Sequence, residues 1–316
     1  MTEHTHVEGQ AAIALRGVCK DYGAVRAVDD VDLEIGYGEL FGLIGHNGAG
    51  KSTLFRMMLG LIAASAGDIR VAGASVRGAA FRAARRQIGY VPENLVLYDN
   101  LSGLETLHFF GRMKGAPLAD CEPLLARVGL AGAAEKPVRA YSKGMRQRLG
   151  FAQALLGSPR VVFLDEPTNG LDPAAIHDFY AMLQALREQG VTIVITSHIL
   201  AELQQRIDRL AIMGNGRILA VGSVAELRRQ LDLPVTLALR VERGARAALW
   251  QHFAPLRAQG VELEDGRAEY ELILRCRRSL KMQVLAALHP MGGRLLDLQI
   301  QEPTLEDVFF GLKEAA

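Results

Sequence analysis

Short apolar runs recur along the first two thirds of the chain, and longer stretches of helical periodicity separate them. Ile13–Val18 and Ala27–Ile35 read as early strands, with Lys20-Asp21-Tyr22-Gly23 as the turn between them. Glu39–Ile44 is a third run, followed by a glycine-rich loop and a helix from Lys51. Ile88–Val91 is a further strand. Arg160–Asp165 is apolar until it ends in an acid, and Val191–Thr196 is β-branched almost throughout. Arg209–Met213 and Arg217–Val221 flank Gly214-Asn215-Gly216, which predicts a hairpin. From about Ser102 to Arg148 the pattern is helical. Ser102 and Glu105 form an S-x-x-E box there, and Gly129 is placed to close a helix. This alternation predicts a parallel α/β domain.

Near Leu231-Asp232-Leu233-Pro234 the pattern restarts. Strands at Val235–Val241, Val261–Glu264, Tyr270–Cys276 and Leu295–Ile300 enclose helices at Arg246–Arg257 and Ser279–Leu288. That order, βαββαβ, is the ferredoxin-like split unit. A last helix, Thr304–Lys313, follows Pro303. The expected organisation is a leader at 1–10 without structure, a nucleotide-binding domain at 11–230 and a small α+β domain at 235–316.

Composition narrows the function. A chain of 316 residues with 49% hydrophobic content has material for two cores. Its 36 basic residues nearly balance 35 acidic ones, so no basic field argues for nucleic acid. Cys19, Cys121 and Cys276 lie far apart and read as buried thiols of a reducing compartment. No apolar run approaches the ~20 residues of a membrane-spanning helix.

The most specific chemistry is Gly45-His46-Asn47-Gly48-Ala49-Gly50-Lys51-Ser52, which matches the phosphate-loop pattern G-x-x-x-x-G-K-[ST] at every fixed position. A strand precedes it and a helix opening Thr53-Leu54-Phe55 follows it. Glycines let backbone wrap phosphate oxygens, amides at the helix start donate to them, and Lys51 adds positive charge. Ser52 is placed to put its hydroxyl on magnesium. A nucleoside triphosphate ligand follows.

Four further elements occur in order: Tyr141-Ser142-Lys143-Gly144-Met145-Arg146-Gln147-Arg148-Leu149, then Val161-Val162-Phe163-Leu164-Asp165-Glu166, then Gly170-Leu171-Asp172, then Thr196-Ser197-His198. With the phosphate loop they resemble the nucleotide-binding subunit of an ABC transporter over about residues 10–230. The resemblance implies a P-loop NTPase cassette with a RecA-like core, an antiparallel β subdomain and a helical subdomain at about 95–150. It also implies ATP and Mg2+ as ligands and ATPase activity. Asp165 would hold magnesium opposite Ser52, Glu166 would reach the attacking water, and His198 would contact the γ-phosphate. Tyr22 matches the aromatic that stacks on adenine; an ordinary turn tyrosine is the alternative. Ser142, Lys143 and Gly144 lie in the loop that completes the site of a second copy, and Asp172 in the segment crossing that interface, so a homodimer is implied. Two departures stand out. Glu93 replaces the usual glutamine and can still ligate magnesium. The loop reads Ser-Lys-Gly-Met in place of Ser-Gly-Gly-Gln, so Lys143 is expected to add a cation facing the nucleotide.

Such an ATPase needs a separate integral membrane permease and sits peripherally on the cytoplasmic side of the inner membrane. Leu95, Val96, Leu97, Tyr98 and Leu101 form an apolar segment that either receives the permease or packs internally. The tail around Glu302–Phe310 is similar to that of subunits serving six-helix, export-type (ABC-2-like) permeases. Within that group, Tyr90–Asn94 and Tyr141–Leu149 resemble the ATPase subunit of the transporter that matures the copper centres of nitrous oxide reductase. A periplasmic copper-handling protein is the partner which that likeness implies. The alternatives are the ATPase of a drug, antibiotic or lipid exporter and a soluble ABC protein acting on nucleic acid. The latter's tandem cassettes, coiled-coil insertions and basic surfaces are not seen in the sequence.

Overall fold

The computed structural model describes residues 11–197, 203, 204, 206–230, 233–242, 244, 246–266, 268 and 270–307. The expected leader, His198, Phe309 and Phe310 lie outside these residues. The chain divides into two compact units, Met1–Val221 and Gly222–Ala316. The expected linker at 231–234 lies some residues beyond that division, and the helix Val224–Gln230 belongs to the second unit.

The first unit holds two sheets. In the larger, strand β3 (Leu40–Gly45) pairs in parallel with β8 (Thr192–Ser197) and with β9 (Arg209–Gly214). β7 (Val161–Asp165) pairs in parallel with β8 and with β6 (Ile88–Val91). β10 (Arg217–Gly222) closes the order β10-β9-β3-β8-β7-β6. Every residue of β3 and β8 is buried, which explains their near-continuous apolar runs. The hairpin between β9 and β10 turns through Asn215 and Gly216, both at positive φ (50° and 80°), the geometry that an Asn-Gly turn supplies.

The smaller sheet is antiparallel, in the order β2-β1-β4-β5. β1 (Ile13–Tyr22) runs four residues past its expected end, and β2 starts at Val25 (Val25–Ile35), so the turn is Gly23-Ala24 and not 20–23. Register shifts in β1, one of them between Leu15 and Val18 beside Gly17 at φ 55°, break the strict alternation and hid the strand's true length. β4 (Ala66–Val71) and β5 (Ala74–Ser75) had no strong apolar signal and were not expected. Helix α1 (Lys51–Met58) lies between the sheets: Phe55 meets Phe163 of β7 edge-to-face at 5.2 Å, and a single core joins residues of both sheets.

The helical section contains α3 (Gly103–Lys114), α4 (Cys121–Arg127) and α5 (Lys143–Leu155), numbered after the short α2 (Phe81–Ala84). Its capping box forms as expected: Ser102 Oγ accepts from Glu105 N at 3.1 Å, and Ser102 N donates to Glu105 Oε2 at 2.8 Å. Gly115, at φ 72°, closes α3. α6 (Pro173–Glu188) follows β7.

In the second unit, β11 (Val235–Val241), β12 (Glu262–Asp265), β13 (Glu271–Cys276) and β14 (Leu295–Gln301) form an antiparallel sheet in the order β12-β13-β11-β14. Helices Arg246–Arg257 and Lys281–Leu288 connect them in the βαββαβ order, and the inward Leu237, Leu239, Leu272 and Leu274 pack with Phe253 and Val284.

Candidate functional site

The carboxyl ends of the parallel strands assemble the site. β3 delivers the chain to the phosphate loop, and α1 leaves it. Gly45 has no room for a side chain, because a Cβ there would lie 2.5 Å from Met213 O of β9. Gly50 sits at φ 101°, and its Cβ would come within 2.6 Å of Ala27 O. Gly48 differs: at φ 85° it faces open space. The loop is pinned from below, since Gly216 N donates to Ala49 O at 3.1 Å and Asp29 N to Gly216 O at 2.9 Å. Its upper side stays open. Gly50 offers α1 no side-chain cap, and the first turn of α1 holds no acid, so its leading amides are free for an anion.

Lys51 is 7% exposed and folds back over the loop, with Nζ 2.5 Å from Gly45 O and 3.2 Å from His46 O. Burial pushes its ammonium pKa down, while the charges of Glu166 and Asp165 oppose that shift. The structure therefore brings together Lys51 and both acids. His46 fixes its ring through Nδ1, 2.7 Å from Asn47 O. Ser52 is exposed and Thr53 half-buried at the start of α1.

Asp165 ends β7 opposite Thr196 of β8. Thr196, 1% exposed, donates from Oγ1 to Asp165 Oδ1 at 2.6 Å, and the same hydroxyl accepts from Glu166 N at 2.9 Å. One buried threonine thus holds both acids. Glu166 adopts φ 47°, a left-handed conformation uncommon outside glycine, which turns the chain sharply at the strand end. Glu93 lies exposed in the loop after β6. Burial raises the Tyr90 pKa, and the charges of Asp165 and Glu93 add to the rise, placing these two acids around one phenol.

The remaining residues gather elsewhere. Ser142 caps α5 by accepting from Met145 N at 3.2 Å. A Cβ on Gly144 would touch Leu171 at 3.8 Å, and one on Gly170 would lie 2.1 Å from Lys143 Nζ. The Lys143 ammonium therefore rests over Gly170 of its own chain. Asp172 caps α6, accepting from Ala175 N at 2.8 Å. Tyr22 is half exposed at the end of β1, with Lys20 Nζ 5.0 Å from its ring centre. Thr196 was legible in the sequence as a strand end and not as a site residue. The sign that could have exposed it was a run of polar residues, Thr196-Ser197, closing an otherwise apolar buried strand.

The arrangement offers free amides, a desolvated cation and a pair of carboxylates at the carboxyl ends of the central parallel strands, which suits a metal-bound polyphosphate. Residues 28–169 match the family model described as "ABC transporter". The chain is 36% identical to the uncharacterized ABC transporter ATP-binding protein YhcH of Bacillus subtilis (strain 168), over 95% of each chain. This chain belongs to the ABC transporter ATP-binding proteins. It is likewise 35% identical, over 95% of each chain, to the daunorubicin resistance ATP-binding protein DrrA3 of Streptomyces coeruleorubidus. A solved ATP-binding subunit of an ABC transporter superposes with a TM-score of 0.63 at 33% identity, covering 69% of this chain and 92% of that one. As an ABC ATPase, the chain couples ATP hydrolysis to transport together with membrane permease components. Among its described residues no helix is long and apolar enough to cross a membrane. The likeness to drug-resistance ATPases is shown, whereas the expected tie to copper-centre assembly gains no support from these relatives.

Proposed function

We propose that this ABC protein is the ATPase of an exporter of drugs, antibiotics or lipids, peripheral to the cytoplasmic side of the inner membrane. The observation that carries this reading is the end-to-end match to DrrA3, second unit included. The copper reading matches no relative described above and is left as an outcome of the test.

In this reading Lys51, with the loop amides of Gly48, Ala49 and Gly50, binds the phosphates, and His46, Asn47 and Thr53 shape the loop. A magnesium ion would be held by Ser52, Asp165 and Glu93: all three carry hard oxygen donors, and the charges of Asp165 and Glu93 both bear on the Tyr90 phenol. Mg2+ usually takes one or two protein oxygens plus those of the nucleotide. Once bound it supplies charge stabilisation to the transferring phosphoryl group. Glu166 orients and deprotonates the attacking water, with its backbone held by Thr196. Tyr22 stacks on adenine, and His198 contacts the terminal phosphate. Ser142, Lys143 and Gly144 complete the site of a second copy in a homodimer, with Asp172 at that interface. ATP closes the pair, and hydrolysis reopens it against a six-helix permease.

The segment after Glu93 divides its apolar residues. Leu95 packs inward, since a Cβ on Gly150 would lie 2.4 Å from it, whereas Val96 and Tyr98 face outward. Tyr98 meets Phe109 edge-to-face at 5.4 Å, and Met113 is exposed on the same helix as Phe109. These residues form the permease contact.

Two measurements test the reading. In cells whose own copy is deleted, complementation by the wild-type chain but not by Glu166→Gln should restore resistance to amphiphilic antibiotics. Recovery of nitrous oxide reductase activity with no change in drug sensitivity would return the copper assignment.

A further inference from the structure

β2 carries an extra residue at Asp29-Asp30. From Val18 to Lys20 β1 advances two positions, while β2 runs three, from Val31 to Val28. Asp30 takes up the excess at φ 49°. The bulge turns the Asp29 amide away from β1, and it donates to Gly216 O at 2.9 Å in the hairpin between β9 and β10. Gly216 N in turn donates to Ala49 O of the phosphate loop at 3.1 Å. A Cβ on Gly216 would lie 3.0 Å from Ala27 O of β2, and one on Gly50 would lie 3.5 Å from Gly216 Cα. Glycines at both contacts leave the three backbones directly against one another. A displacement of β2 or of the hairpin therefore reaches the loop.

The Asp29 side chain is gripped from two directions. Its Oδ2 accepts from Arg217 Nε at 2.7 Å and lies 2.5 Å from Arg217 Nη2, while its Oδ1 accepts from Arg26 Nη1 at 3.1 Å. The Arg217 guanidinium first, and then Arg26, holds this carboxyl below the usual carboxylate range, against partial desolvation. Arg217 directly follows Gly216, so its grip fastens the hairpin turn to β2. Arg26 reaches the other way: its Nε donates to Asp21 Oδ1 at 2.9 Å, across the strand pair and next to Tyr22. One chain of contacts thus runs from the Tyr22 turn through Asp21, Arg26, Asp29, Arg217 and Gly216 to Ala49. Arg26 and Arg217 are 55% and 66% exposed, and ion pairs that exposed add little to stability. The significance of the network lies in the two ends it joins.

We propose that Asp29 is a positioning residue for ATP: gripped by Arg26 and Arg217, it fixes the span between the Tyr22 turn and the phosphate loop, so that base and triphosphate bind as one unit. A ligand held at two subsites gains from the second contact only when their spacing matches its own. The ribose of ATP confines the separation of base and phosphates, and the chain of contacts confines the same separation in the protein. This rests on the stacking role proposed for Tyr22 and adds the residues that tie it to the loop.

The test measures binding of ATP and of tripolyphosphate, which lacks the base, to the full-length chain by isothermal titration calorimetry with Mg2+ present. Arg26→Gln cuts the link towards Tyr22 and should weaken ATP about fivefold while leaving tripolyphosphate unchanged. Arg217→Gln frees the hairpin beneath Ala49 and should weaken both ligands about fivefold. Arg217→Lys keeps a cation for Asp29 and should recover most of that loss. Asp29→Asn should combine the two effects, with ATP losing more than tripolyphosphate. All melting midpoints should stay within about 2 °C of wild type, because pairs this exposed add little to stability. Unaltered affinity of Asp29→Asn for both ligands would overturn the proposal. So would equal losses for both ligands in all three neutralised variants with falling midpoints, the mark of a stability role. Tyr22→Ala separates the two readings. Unaltered ATP affinity in that variant would remove the stacking role on which the proposal rests, whereas weakened ATP binding there with a silent Arg26→Gln would remove the positioning role alone.

Discussion

Replacing Thr196 by valine isolates the hydroxyl that joins the two acids. Valine matches threonine in shape, so the fully packed strand end is preserved and only the polar atom is lost. That atom donates to Asp165 Oδ1 at 2.6 Å and accepts from Glu166 N at 2.9 Å, at a residue 1% exposed. A hydrogen bond to a charged group is worth about 1.5–3 kcal/mol net and a neutral one about 1 kcal/mol. The variant should therefore lose roughly 3 kcal/mol, with no water able to reach the amide and substitute. For a domain of this size each kcal/mol moves the melting midpoint by about 2–4 °C, which gives a fall of about 6–12 °C. The loss also frees the Asp165 carboxylate and relaxes the left-handed turn at Glu166. If the 1.5–3 kcal/mol that fixes Asp165 is absent from the transition state, kcat falls about 10- to 100-fold. Differential scanning fluorimetry and magnesium-dependent ATPase rates measure the two effects. Thr196→Ser keeps the hydroxyl and should recover most of both. A valine variant within 2 °C of wild type and with unaltered kcat would refute the role assigned to this residue.

Glu93→Gln removes a carboxylate that borders Tyr90 with Asp165, so nucleotide binding should persist while the magnesium concentration for half-maximal ATPase shifts; superimposable titration curves would exclude Glu93 as a ligand. Gly50→Ala must clear a 2.6 Å approach to Ala27 O, whereas Gly48→Ala meets nothing within 4 Å and suffers only its positive φ. Gly48→Ala should cost about 1–2 kcal/mol, and Gly50→Ala distinctly more, with loss of ATP binding; equal melting midpoints would contradict the packing described. Lys114 carries a pH signature. Its folded pKa of about 8 lies below its ordinary value, so between about 8 and 10.5 the unfolded chain holds a proton that the folded chain lacks. Stability rises with pH through that window, and below it the buried ammonium's cost is fully present. Lys114→Met should thus melt higher than wild type at pH 7, with the gap narrowing towards pH 10; a pH-independent gap would show that the amine is not desolvated.

The chemistry was legible in sequence wherever it depends on residues close together in the chain. The phosphate loop is eight consecutive positions between a strand and a helix, so its pattern is readable without knowing what packs against it. The acids at 165–166 announced themselves as polar residues ending a buried strand. The βαββαβ order of the second unit was legible from periodicity, most plainly in β11 and β13, which alternate cleanly between a packed and an open face. What tertiary structure decided lies across strands and between elements. Thr196 reaches Asp165 because β7 and β8 are neighbours in register, although 30 residues separate Thr196 from Glu166. The bulges of β1 displaced its turn, since a register shift changes which residues face inward without changing composition. Lys143 was expected to face nucleotide, yet within its own chain it lies over Gly170. Lys114 looks like any basic residue at a helix end until the carboxyl end of α5 closes over it. A sequence states which groups are present and how the backbone bends locally; burial, and therefore charge cost and pairing, arises only when distant segments exclude water together.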